Sequence, residues 1–546
     1  MNKKWIVAEK KSDDLIEQLL INRKIKKNDR HSFLSPDFEK DLHDPYLMKD
    51  MCRAVDRIAK AISKNEIVGI FGDYDADGIP GLALLYDLFL KLGLNVVPYI
   101  PSRNEGYGLN KEGIDFFKKA KVTLMVTVDL GIRSIDQVNY AKRQNIETII
   151  LDHHEPGDKI PDCIVVNPKQ KGDKYPFREL SGCGVAFKLA QALSAKYKEI
   201  NSAYLKWLLD LVAISTICDV VPLVDENRVF AKFGLIVLRK TKRIGLLKLY
   251  QAADIDPEKI DTYTVGFQIG PRINAPGRMQ HANQSFYLLI SQDAEEASEL
   301  AQKLDQINRQ RQAELDRVLK EAKTKVLKQC LDQKKVILVS SDGWPHGIIG
   351  LVAGKLMEEY SRPVIVCEKR DKDFRGSARS IDAYNIIEAL DESKEFLIGY
   401  GGHAKAAGLF FEHAQLPFLY DRLLAIAESK LTAADLVPKI KIDAEISQKE
   451  INKRLLESLK KLEPFGLGNP RPVFALENAQ ASNVRTVGKE NKHLSFKIDG
   501  IKAIAFSMAE HEKIGDSQAD FAFTIDEDTW GGETKIQLKI VDIKYE

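Results

Sequence analysis

Five short apolar runs recur between residues 50 and 225, and each stops abruptly in polar residues: EIVGIFGDYD, LNVVPYIP, VTLMVTVDLG, IETIILDHHE and CIVVNPK. Stretches with helical spacing, such as SIDQVNYAKRQN, separate them. Strands that are apolar throughout, alternating with amphipathic helices, are buried on both faces, which predicts an α/β fold built on a parallel sheet. Ligands of such sheets gather at the carboxyl ends of the strands. Asp73, Asp75, Asp77, Asp129, His153 and His154 all fall at those ends.

The rest of the chain divides by pattern. At 546 residues it is long enough for roughly three or four domains. We expect an N-terminal segment (1–49), the α/β domain with a helical part (50–290), and a long connecting helix or pair of helices (291–332), free of Gly and Pro. A second, smaller α/β domain (333–434) follows, and then a strand-rich region (435–546) that reads as a small β-barrel. An apolar fraction of 44% and a charged fraction of 29% belong to a soluble globular protein. Eighty-one basic against 79 acidic residues leave +2, so any nucleic-acid surface must be local. Six scattered cysteines without a CxxC pair read as reduced thiols, and the basic start MNKKWIVAEKK has no apolar leader core. No run approaches the length of a membrane span, and a cytoplasmic protein is expected.

GDYDADG crowds three carboxylates into five positions, which is unfavourable unless cations share them. Asp-x-Asp-x-Asp-Gly also opens a calcium loop, but Leu84 stands where that loop needs Glu. Carboxylate and imidazole together suit Mn²⁺, Mg²⁺ or Zn²⁺, and an excess of carboxylate leans to the harder ions. Asp219, in the apolar stretch LVAISTICDVVPL, is costly to bury without a partner or a cation. Such a ligand set has the capacity for two ions, and two-ion sites hydrolyse phosphoesters or phosphoanhydrides.

The set GDYDADG, TVDLGI, LDHHE and CDVVPL resembles the DHH phosphoesterase superfamily. NEGYGLN, VVNPKQ, YPFRELSGCGVAFKL, GPRINAPGR, GWPHGIIG, GSARS, GYGGHAKAAG and LEPFGLGNPRPVF narrow the resemblance to its bacterial exonucleases specific for single-stranded DNA. That resemblance implies a DHH domain, a DHH-associated domain facing it across a cleft, an OB-like barrel, and Mn²⁺- or Mg²⁺-dependent 5′→3′ release of mononucleotides in DNA repair and recombination. It places metal ligands at Asp75, Asp77, Asp129, His153 and Asp219, with Asp129 bridging. Asp73 joins the metal side, and His154 stands as a substrate-facing acid or phosphate contact. Two departures stand out: Phe71 replaces a histidine that many relatives carry, and Pro80 and Gly81 replace a hydroxyl. Pro80 is compatible with a first helical turn.

For the nucleic acid, the same resemblance points to Arg272, Asn274 and Arg278 in a Gly/Pro-rich loop, to His346 beside Trp344, and to Gly402 and His403. Ser377, Arg379 and Arg103 are expected to hold a 5′-terminal phosphate, because guanidinium forks match phosphate oxygens. Trp344 reads equally as a base-stacking or a buried residue, and the tail aromatics Phe474, Phe496, Phe506, Phe521, Phe523 and Trp530 as DNA-stacking or barrel core. Relatives interact with single-stranded-DNA-binding protein, an expected partner here. Two rival readings are a hydrolase of small phosphate substrates, which needs neither long helix nor barrel, and a scaffold with a degenerate site, at which only Phe71 hints.

Overall fold

The computed structural model describes residues 3–106, 108–515, 517–528 and 535–545. Tyr107 of the NEGYGLN stretch and Trp530 lie outside them. The chain forms two compact units, one of residues 7–305 with 441–546 and one of residues 1–6 with 306–440.

In the first unit the strands are β1 (Ile67–Gly72), β2 (Asn95–Tyr99), β3 (Leu124–Val128), β4 (Glu147–Leu151) and β5 (Ile164–Val166). All neighbours are parallel, in the order β2-β1-β3-β4-β5. The strand order reverses between β1 and β3, where connections leave in opposite directions and open a crevice at the carboxyl edge. Helix α1 (Gly78–Lys91) starts directly after Asp77, with Pro80 in its first turn as the sequence allows. A Cβ on Gly81 would lie 2.6 Å from Val128 Cγ2, so the helix can seat this closely on β3 only without a side chain there. Phe71 is buried against Tyr99 and Phe117.

Helices α2 (Gly182–Ser194), α3 (Leu209–Cys218) and α4 (Asp225–Arg239) pack into the same core. GPRINAPGR is not the expected loop. It forms helix α5 (Gly270–Met279), with Pro271 at its start, where a missing N–H is harmless, and Pro276 inside. A single 35-residue helix, α6 (Ala294–Lys328), fills the Gly- and Pro-free stretch.

The second unit carries β6 (Ile337–Ser341), α7 (His346–Tyr360), β7 (Val364–Lys369), β8 (Asp373–Arg379), β9 (Gly399–His403) and β10 (Ala406–Glu412). Its sheet runs β9-β10-β8-β7-β6, with only β6 and β7 parallel.

Back in the first unit, β11 (Ala444–Glu445), β12 (Phe474–Val487), β13 (His493–Ile498), β14 (Ile501–Ala505), β15 (Gln518–Asp528) and β16 (Lys535–Lys544) run in the order β11-β12-β13-β14-β16-β15. Pairing of β12 with β15 closes the barrel and removes its open edges. Phe474, Phe496, Phe521 and Phe523 fill its core, which rules out DNA stacking for these four, while Phe506 is exposed. Arg228 of α4 ties the barrel segment to the α/β body. Its guanidinium is fully buried over the Phe33 ring and donates to the carbonyls of Phe33, Lys461, Leu462, Glu463 and Pro464. Among the described residues no helix is long and apolar enough to cross a membrane.

Candidate metal centre and nucleic-acid contacts

The turn after β1 is an Asx turn, in which Asp75 Oδ1 accepts from the Asp77 and Gly78 amides at 2.9 and 3.1 Å. Gly78 has no room for a side chain, since a Cβ would lie 2.6 Å from the Asp73 nitrogen. Asp77 is pinned from behind. Its Oδ2 accepts from the Gly182 amide at 2.7 Å, and its Oδ1 from the Cys183 amide at 2.7 Å and the Ser215 hydroxyl at 2.6 Å. The carboxylate therefore caps the positive N-terminal end of α2. Ser215 Oγ also lies 2.6 Å from Ser181 Oγ.

Asp129 follows β3 with a left-handed backbone (φ 66°) and donates its amide to the Leu151 carbonyl at 3.0 Å. The turn after β4 adds His153, whose Nε2 lies 3.1 Å from Asp129 Oδ1, 3.5 Å from Asp77 Oδ2 and 3.7 Å from Asp219 Oδ2. Asp219 caps the end of α3, and its side chain is 29% exposed. Three overlapping groups result: Asp73 with Asp75 and Asp129, Asp129 with His153 and His154, and Asp77 with His153 and Asp219. In each, one ligand atom per residue lies within 4.8 Å of the others.

The electrostatics call for cations. Burial, then the neighbouring carboxylates, pushes Asp73, Asp129 and Asp219 well above the ordinary carboxylate range. Burial pushes His153 down, which favours the neutral imidazole that a metal needs. Among the described residues Asp73 Oδ1 and His153 Nε2 find no hydrogen-bond partner, although both are buried. An orphaned carboxylate oxygen and an orphaned ring nitrogen facing one crevice are what a divalent ion would satisfy.

Asp152 escaped the sequence reading. It is fully buried and accepts four hydrogen bonds: from the His153 amide at 2.7 Å, the His154 amide at 3.1 Å, His154 Nδ1 at 2.8 Å and the Ile132 amide at 2.9 Å. Burial lowers the pKa of His154, but the Asp152 bond and the surrounding carboxylates outweigh it and leave His154 raised. Ser181 and Ser215 were missed because only the fold brings them together, and Lys169 because its positive field on Asp219 needs the folded crevice. The acid beside two histidines in LDHHE was the one available signal for Asp152.

The expected nucleic-acid contacts scatter. Arg272 is committed elsewhere: its Nε and Nη2 hold Asp305 Oδ1 at 2.9 and 2.8 Å. Asn274 Oδ1 accepts from the Ala76 amide at 2.8 Å, so it supports the acidic turn. Arg278 lies in the last turn of α5, one residue after Gly277. Arg103 stacks over the Tyr74 ring at 4.5 Å and donates to the Gly277 carbonyl at 3.0 Å. That places it in the first unit, whereas Ser377, Arg379, His346, Gly402 and His403 belong to the second.

In the second unit Arg379 Nη1 donates to Ser377 Oγ at 3.1 Å, and burial lowers the Arg379 pKa, with no carboxylate among the described residues to offset it. A Cβ on Gly350 would lie 3.0 Å from Ser377 Oγ and 3.2 Å from Arg379 Nη2, which sets both against α7, the helix that His346 begins. GGHAKAAG is the turn of a hairpin, with Gly402 and His403 exposed: Gly402 pairs with Ala407, and a Cβ there would sit 2.3 Å from the Ala406 carbonyl oxygen. His403, Ala406 and Arg379 share one rung of the sheet. Trp344 is fully buried and bonds Glu321 through Nε1 at 2.9 Å, which excludes base stacking.

Family models match in three places: the DHH family N-terminal domain over residues 67–216, the DHHA1 domain over 332–430 and the RecJ OB domain over 442–542. Fold and centre together define a metal-dependent phosphoesterase of the DHH class. The single-stranded-DNA-specific exonuclease RecJ of Bacillus subtilis is 38% identical over 538 residues, covering 97% of this chain and 67% of that relative. Those of Haemophilus influenzae and Escherichia coli are both 31% identical, covering 92% and 90% of this chain and 92% and 89% of the relatives. The crystal structure of RecJ from Thermus thermophilus in complex with Mn²⁺ superimposes with a TM-score of 0.84 at 28% identity, covering all of this chain and 80% of that one. Its Mg²⁺ complex gives 0.78 at 26%, covering all of this chain and 78% of that one. The chain belongs to the RecJ family of single-stranded-DNA-specific exonucleases.

Proposed function

We propose that this chain degrades single-stranded DNA from the 5′ end, releasing 5′-mononucleotides with Mn²⁺ or Mg²⁺ as cofactor, in the cytoplasm and in DNA repair and recombination. The observation that carries the reading is the convergence of Asp75, Asp77, Asp129, His153 and Asp219 on one crevice edge. Two divalent ions held there would activate water and stabilise the leaving oxygen. The chain's own residues do the remainder. Asp129 would serve both ions, as it belongs to two of the three ligand groups, and Asp73 would add a donor to its side. Ser215, Gly182 and Cys183 hold Asp77 in place. His154, oriented by Asp152, faces the substrate as an acid or phosphate contact.

Residues 50–290 form the catalytic domain after an N-terminal segment (1–49), with 291–332 as connecting helix, 333–434 as substrate-binding domain and 435–546 as nucleic-acid-binding barrel. Arg278, His346, Gly402 and His403 contact the strand, while Arg272 and Asn274 act by positioning. Ser377 and Arg379 read the terminal phosphate, since a buried guanidinium whose charge burial opposes favours an anion, and Arg103, in the first unit, is a separate phosphate contact. Single-stranded-DNA-binding protein is the expected partner.

Incubation with Mn²⁺ and end-labelled single-stranded DNA tests the activity. Mononucleotides should leave the 5′ end, EDTA should silence the reaction, and Asp129→Ala should abolish it with the fold retained. Arg379→Ala should lose the preference for 5′-phosphate over 5′-hydroxyl substrate, and an unchanged rate ratio would place end recognition elsewhere.

A further inference from the structure

Between α3 and α5 the chain makes one turn of π-helix, Val265–Ile269, closed by the Gly270 amide on the Val265 carbonyl. Single π-turns concentrate at functional sites because they re-aim a few side chains at the cost of regular bonding. Here the turn carries Phe267, and Tyr263 stands in the single α-helical turn, Thr262–Thr264, directly before it. Val265 and Ile269 are fully buried, while Tyr263 and Phe267 stand 60% and 66% exposed. Their rings stack on each other with centroids 4.9 Å apart and planes 23° from parallel. Leaving two large aromatic side chains more than half in water is unfavourable.

The pair sits on a segment fastened to the metal centre. A Cβ on Gly270 would lie 2.3 Å from Cys218 Sγ, and the Cys218 thiol lies 3.7 Å from the Val265 carbonyl oxygen; Asp219 is the next residue. On the other side, α5 begins at Gly270 and supplies Asn274, which holds the acidic turn through Ala76.

We propose that Tyr263 and Phe267 form a base-stacking platform for single-stranded DNA entering or leaving the metal centre. The proposal rests on the exonuclease reading and adds to it a contact that reads the bases rather than the phosphates. Two aromatic side chains offer about 300–500 Å², well short of the roughly 1,000 Å² that a stable protein interface needs. They suffice for a base, because every base presents a π-face and stacking is tolerant of sequence. Continuity with the metal centre favours the substrate strand over a second copy of the chain.

The test compares the full-length protein with Tyr263→Ala/Phe267→Ala and Tyr263→Trp/Phe267→Trp. Binding is read by anisotropy in EDTA, on a labelled oligothymidine and on an abasic strand of the same length. The alanine variant should bind oligothymidine about tenfold or more weakly, with an unchanged salt slope since no phosphate contact is lost. It should bind the abasic strand as the wild type does, and the tryptophan variant should keep wild-type affinity. With Mn²⁺ the alanine variant should show a raised KM at near-normal kcat. Equal affinity of wild type and alanine variant for oligothymidine would overturn the proposal, as would an equal loss on both strands. A wild-type dimer in sedimentation equilibrium that the alanine variant loses would overturn it by assigning the pair to a second copy. A wild type that neither binds nor cuts single strands would instead overturn the exonuclease reading; a fully active wild type beside an unaltered variant overturns the platform alone.

Discussion

Asp152→Asn removes one oxygen from the most heavily bonded carboxylate of the site. The least damaging orientation keeps the amide oxygen toward His153 and His154 and turns the NH₂ onto the Ile132 amide, donor against donor. That buried N–H loses its partner, at about 1–3 kcal/mol. The three remaining bonds change from charge-assisted to neutral, and ionic bonds are about twice as strong. Together the unit should lose roughly 3 kcal/mol of unfolding free energy. In the wild type burial opposes the Asp152 charge, but the bond and positive field of His154 outweigh it and hold the carboxyl below its ordinary range. Its contribution is therefore present above the unfolded-state pKa and lost as pH falls through the lower folded value, so the gap between wild type and variant should narrow on acidification. Turnover at saturating Mn²⁺ should fall about 10–100-fold, the usual cost of losing a group that orients a ligand. Urea unfolding across pH and single-turnover cleavage measure both. Wild-type stability with full turnover would refute the reasoning, and so would additivity with His154→Ala, since residues sharing a hydrogen bond should couple.

Gly182→Ala would bring a Cβ to 2.6 Å from Asp129 Cβ, and the resulting displacement should cost on the order of 100-fold in kcat with metal present; near-normal cleavage would mean that Asp129 tolerates the shift. Arg228→Met should destabilise the first unit by about 3–5 kcal/mol in urea, because carbonyls of Phe33 and residues 461–464 lose a charged donor in the interior. Burial pushes that guanidinium down to about 10, so it stays charged at neutral pH and the five carbonyls keep a charged donor. His43, about a third exposed, has its pKa raised chiefly by the 2.7 Å bond to Asp225. A raised histidine stabilises below its unfolded pKa and loses that contribution as pH rises through the folded value. Wild type should therefore exceed His43→Gln by roughly 0.2–1 kcal/mol near pH 5.5 and by less at pH 8, as read from paired denaturation curves.

The acidic centre was legible because strand periodicity put three polar turns at one sheet edge, and parallel topology leaves few other places for them. Asp152 was not, since LDHHE presents four titratable residues in a row and sequence spacing cannot say which face the crevice and which support. GPRINAPGR misled in the opposite direction. Its glycines and prolines signal a loop, yet Gly270 and Gly277 are small because Cys218 and the Tyr74 carbonyl press on them, and packing overrode local preference. In GGHAKAAG the sequence did not show that Gly402 also serves a close strand pair, a Cβ there meeting the Ala406 carbonyl. Ser181 and Ser215 are 34 residues apart, a relation no motif encodes.

The left-handed backbone at Asp129 recurs at Val220 (φ 57°), the residue after Asp219, where a β-branched side chain is unusual. Each such position costs about 1–2 kcal/mol, and Asp129 adds the repulsion of its neighbours. The centre thus works against the fold that hosts it, an antagonism between durability and turnover written into two backbone angles. Variants selected for heat resistance alone should drift at these two positions toward glycine or asparagine. Change at 220 can spare the chemistry; change at 129 yields a sturdier protein that no longer cuts.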